Sequence, residues 1–113
     1  MIAFTSALML MLAGTPGDAM GKARQDYSAC LSRFMQDALE RKMDTGEYKG
    51  ALKGKCAEQE ATFRTAILAA DKVDGMTAKD SAADADDQIA EYLDKFTSEY
   101  EDYMSSNAAK PTA

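Results

Sequence analysis

Apolar side chains recur along this chain at helical spacing. Tyr27, Cys30, Leu31, Phe34 and Ala38 fall at steps of three and four, with Met35 beside them. Such steps return to one side of a helix with 3.6 residues per turn, so a first helix is predicted over about 21–43. A second stripe follows in Leu52, Cys56, Phe63, Ala66, Ile67, Ala70 and Val73, which predicts a helix over 45–74. Asp44 stands where it can cap that helix, and Glu47 where it can reach back to complete a capping box. Gly50 and Gly54 weaken its first turns by about 1 kcal/mol each relative to alanine. Gly75 suits the left-handed residue that closes a helix.

A third stripe runs through Ala82, Ala85, Ile89, Tyr92, Leu93, Phe96, Tyr100 and Tyr103. Its steps of three and four, sustained over several turns, resemble a coiled-coil seam and predict a helix over 78–105. Thr77-Ala78-Lys79-Asp80 reads as its capped start. Asp80, Asp84, Asp86 and Asp87 crowd its first turns, where the helix dipole favours negative charge. No segment alternates with the period of two that a half-buried strand would show. The expected fold is therefore all-α, a three-helix up-down-up bundle over residues 20–106.

The two ends read differently. Residues 1–13 are apolar apart from two hydroxyls, and Gly14-Thr15-Pro16-Gly17 then breaks any helix. Gly17 and Ala19 supply the small residues that a signal peptidase reads. The pattern predicts a secretory signal peptide over 1–19, and with it a periplasmic or secreted domain. About thirteen apolar residues fall short of the ~20 needed to span a bilayer, so no stable membrane anchor is expected after cleavage. No Lys or Arg precedes Lys22, although a signal peptide ordinarily opens on positive charge. The competing reading is a buried first helix of the domain itself. The segment 107–113 is small and polar, with a proline, and reads as a disordered tail.

Composition makes the cysteines important. After residue 19 the chain holds only eleven Leu, Ile, Val and Phe residues. Alanine replaces them; it favours helix but buries little area. So thin a core needs a supplement. Cys30 and Cys56 are the two cysteines, and in an exported chain two cysteines usually pair. Their midpoint, residue 43, falls on the turn expected between the first two helices. In an antiparallel hairpin, residues equidistant from the turn face each other, so a disulfide joining these helices is expected.

Charge and motifs then narrow the function. Residues 20–70 carry nine basic and seven acidic groups, whereas residues 71–113 carry four and eleven. That balance argues against nucleic acid and against anionic lipid as partners. Histidine is absent, which removes the commonest acid–base group. No nucleophile motif or glycine-rich phosphate loop is present, so neither an enzyme nor a bound cofactor is expected. The leading expectation is a non-enzymatic interaction or structural module. Its partner would be another protein or a second copy, met through Tyr92, Phe96, Tyr100 and Tyr103 of the third helix. The alternative is a small-ligand or divalent-cation protein using Asp80, Asp84 and Asp87. The acidic run lacks the glycine and glutamate offsets of a calcium loop.

Overall fold

A computed structural model describes residues 16–106, and its elements are all helices: α1 (Pro16–Glu40), α2 (Thr45–Lys55), α3 (Ala57–Val73) and α4 (Ala78–Ser106). The fold is all-α with one disulfide, as the periodicity implies. Four helices form rather than three, because the arm expected over 45–74 is broken at Cys56. This residue has φ −116° and ψ 38°, outside the helical region. It ends α2 and precedes α3, whose first backbone bond runs from the Glu60 N–H to the Cys56 carbonyl at 2.9 Å. Gly54, two residues earlier, supplies no side chain to stiffen the turn.

The first helix also differs from expectation. It starts at Pro16, so residues 16–19, which the sequence assigns to a signal peptide, form its opening turn. Proline is tolerated there because a helix's first N–H groups lack intrahelical partners. Residues 1–15 and the tail expected over 107–113 lie outside the described residues.

Both tight turns share one device. At the end of α1, Lys42 adopts φ 53°, the Met43 N–H donates to the Ala38 carbonyl at 2.9 Å, and the Lys42 N–H donates to the Leu39 carbonyl at 3.1 Å. At the end of α3, Gly75 adopts φ 88°, with the Met76 N–H on the Asp71 carbonyl at 3.0 Å and the Gly75 N–H on Lys72 at 3.1 Å. Each is a Schellman end, which satisfies carbonyls that a helix terminus leaves open. Caps then start the next helices. The Asp44 carboxylate accepts from Gly46 N–H at 3.0 Å and Glu47 N–H at 3.3 Å. Thr77 Oγ1 accepts from the Asp80 N–H at 3.1 Å.

The helices assemble up, down (as α2 and α3), and up. Contacts fix the directions. Cys30 meets Cys56 and Tyr27 meets Phe63, so α1 and α3 are antiparallel. Tyr27 also meets Tyr92, and Ala38 meets Tyr100, so α1 and α4 run the same way. The core between them is led by Tyr27, Leu31, Tyr48, Leu52, Cys56, Phe63, Ile67 and Tyr100, all fully buried. Val73, expected on the buried stripe, is 72% exposed, and Asp71 occupies the core-facing position instead. The spacing from Phe63 through Ile67 to residue 71 is four and four, which keeps one helix face inward.

Candidate functional site

The predicted cysteine pair is bonded. Cys30 on α1 and Cys56 at the α2–α3 break lie with Cα atoms 6.0 Å apart, and the bond closes a separation of 26 residues. Cys56 is fully buried and Cys30 half-buried. Among the described residues there is no free cysteine.

The four aromatic residues expected at a partner surface divide into two kinds. Phe96 and Tyr100 lie in the core. Tyr100 stacks on Tyr48 at 3.7 Å between centroids, and Tyr48 stacks on Phe34 at 5.5 Å, forming a three-ring column across α4, α2 and α1. The Tyr48 hydroxyl donates to the Phe96 carbonyl at 3.1 Å. The Tyr100 hydroxyl is shared between the carbonyls of Ala38, at 3.3 Å, and Met43. These bonds pin the C-terminal half of α4 to α2 and to the α1–α2 turn. As folded, neither ring is available to a partner. Tyr92 and Tyr103 are half-buried. Tyr92 packs edge-on against Tyr27 and Phe63, and its outer side borders a shallow hollow of about 390 Å³ with Arg24, Gln88, Glu91 and Lys95. Tyr103 borders another of about 380 Å³ with Glu99, Asp102 and Ser106.

Burial sets the chemistry of the inner phenols. Tyr27, Tyr48 and Tyr100 all have pKa values raised above the ordinary tyrosine value, chiefly by loss of water around the phenolate. Nearby acids add to this: Glu60 for Tyr27 and Asp44 for Tyr100.

The acidic start of α4 is not arranged as the sequence suggested. Asp80 and Asp87 are exposed. Asp84 is half-buried, with both carboxylate oxygens accepting from Gln88 Nε2 at 3.2 Å. Asp71, near the end of α3, is 8% exposed and accepts from the Ser81 hydroxyl at 3.2 Å. Ser81 itself is 4% exposed. The Asp71 carboxyl is held above the ordinary carboxylate range, first by its hydrogen bond with Asp84 and then by burial. Ser81 acts in the opposite sense, since its donated bond favours the ionised form. Asp80, Asp84 and Asp87 thus share a helix side without converging. Among the described residues no group of three acidic or sulfur ligands is gathered to hold a metal ion.

The Asp71–Ser81 contact was missed in the sequence because polar residues at two core-facing positions interrupt the apolar stripes. Its signal was the phase of each helix. Residue 71 continues Phe63 and Ile67, and residue 81 lies four before Ala85. No family model, curated protein or solved structure matches this chain.

Proposed function

We propose that this chain is an exported, non-enzymatic module that acts by meeting another protein, or a second copy of itself, through α4. The covalent layout carries the reading. The disulfide ties α1 to the α2–α3 break, whereas α4 follows the Gly75 turn and has no covalent tie of its own to the bundle. Its surface also carries the outer edges of Tyr92 and Tyr103. Tyrosine suits such a role because it offers a large rigid ring and a polar tip. Export is supported by the disulfide, since such bonds persist in oxidising compartments.

A photo-crosslinking amino acid placed at Tyr103 or Tyr92 tests the interface in the native cell. Adducts from these positions, and none from Thr62 on the outer side of α3, are expected. Cross-links absent from α4, in cells where the protein is abundant, would remove the reading. Alkylation of cells under denaturing conditions tests the compartment. Protection of both cysteines until a reductant is added is expected; free thiols would place the chain in a reducing environment.

A further inference from the structure

Arg24 on α1 has no acid to hold. Its guanidinium lies 5.8 Å from the centre of the Phe63 ring, and among the described residues it joins no ion pair. Arg41 and Arg64 differ, since each binds an aspartate, at 2.8 Å and 2.7 Å. Arg24 is half-buried, where a charge without a counter-ion is costly. Stacking on a ring uses the face of the guanidinium. Its in-plane N–H groups remain, and they match the two oxygens of a carboxylate.

The surroundings of Arg24 complete a site. It borders the hollow of about 390 Å³ together with Gln88, Glu91, Tyr92 and Lys95 of α4. Tyr92 is held there by Tyr27 and Phe63, at 5.8 Å and 5.7 Å between ring centres. Gln88 is held by its bonds to Asp84. Lys95 lies 5.7 Å from the centre of the Phe96 ring. Like Arg24, it joins no ion pair among the described residues, although Glu91 stands at the four-residue spacing that helical pairs use. Two cations against one acid therefore frame this hollow, on a helix whose other charges are nearly all acidic.

We propose that this hollow receives a carboxylate side chain from an acidic segment of the partner protein that α4 meets. Arg24 takes the carboxylate in a two-bonded fork, Lys95 adds a second positive charge, and Tyr92 is the apolar wall beside them. The proposal rests on the α4 interface and names the chemistry of its partner. Charge selects the occupant. An acidic segment meets two unpaired cations, whereas a basic one would face like charge. Shape favours a protein over a free acid. The hollow is shallow, and small-molecule sites bury most of their ligand. A side chain borne on a docked protein is positioned by contacts around the hollow as well.

The test uses the full chain, labelled for NMR, and a short blocked peptide of alternating aspartate and alanine. Saturable shifts at the Arg24 side chain, the Gln88 amide and the Tyr92 ring are expected, and none with the matching asparagine–alanine peptide. Binding should weaken about tenfold in Arg24→Gln and in Lys95→Gln. It should also fade as salt rises to about 0.5 M. Lys95 is exposed, so Lys95→Gln serves if Arg24→Gln fails to fold. Shifts that are absent, equal with both peptides, or undiminished in a folded variant would overturn the proposal. So would glutarate binding as tightly as the peptide, which would make the hollow a small-acid site. A wild-type dimer that both substitutions dissolve would overturn it too, because the occupant would be a second copy. In cells, adducts from a photo-crosslinker at Tyr103 should be lost in the Arg24→Gln, Lys95→Gln double variant. Adducts that persist undiminished would keep the α4 interface and remove the carboxylate site; adducts absent from α4 altogether would remove both.

Discussion

Lys42 holds a conformation that side chains avoid. Its φ of 53° places Cβ against the backbone in the left-handed region, where glycine is strain-free. The turn nevertheless needs that conformation, because two N–H groups bond back to Ala38 and Leu39 only through it. Lys42→Gly is therefore expected to stabilise the domain by up to about 1 kcal/mol, read as a higher urea midpoint. A lower midpoint would mean that the lysine side chain makes a compensating contact. Tyr48 offers a sharper dissection. Tyr48→Phe keeps the ring column and loses the bond to the Phe96 carbonyl, so a loss of about 1 kcal/mol is expected. Tyr48→Ala loses the column as well and should cost about 3–5 kcal/mol. Equal losses would show that the hydroxyl, not the stack, fixes α2 against α4. The sequence did not single out Tyr48, because glycines and lysines surround it and hide its phase.

At the scale of the elements, helix identity was legible and the break within one of them was not. Leu52, Cys56 and Phe63 are spaced by four and seven, which a continuous helix satisfies. A single non-helical residue at Cys56 leaves that spacing intact, so periodicity carries no trace of it. The disulfide was legible because its midpoint falls on a turn that Asp44 marks. Two measurements follow. Gly50 and Gly54 lie in α2 with open space where a Cβ would stand. Gly50→Ala and Gly54→Ala should each stabilise by about 1 kcal/mol in thermal unfolding; an unchanged or lower midpoint would mean that the backbone of α2 departs from the helical form at that glycine. For the disulfide, Cys30→Ser and Cys56→Ser should each lose about 3–4 kcal/mol on the loop-entropy model, with the double variant no worse than either single one. A double variant clearly worse than either single one would mean that one sulfur has a role outside the bond.

For the whole molecule, the all-helical class followed from the stripes, whereas the distribution of polarity inside the bundle did not. A chain poor in large aliphatic residues builds its core from phenols, and burying Tyr27, Tyr48 and Tyr100 makes stability depend on their protonation. All three have pKa values raised by burial. The folded state therefore keeps protons that the unfolded chain releases above about pH 10. Below that point their contribution is complete. Above it, stability should fall with pH by at most about 1.4 kcal/mol per pH unit for each phenol that stays protonated in the folded state. A small domain holds only about 5–15 kcal/mol, so a rise of a few units is enough to unfold it. The expected signature is a cooperative rise in phenolate absorbance that coincides with the loss of helical circular dichroism. The ring column makes this a property of the whole bundle, since Tyr48 and Tyr100 join α2, α4 and the α1–α2 turn at one place. If the buried phenols ionised while the helical signal stayed intact, the column would be open to solvent, and the anchoring of α4 at that end would have to come from Phe96 alone.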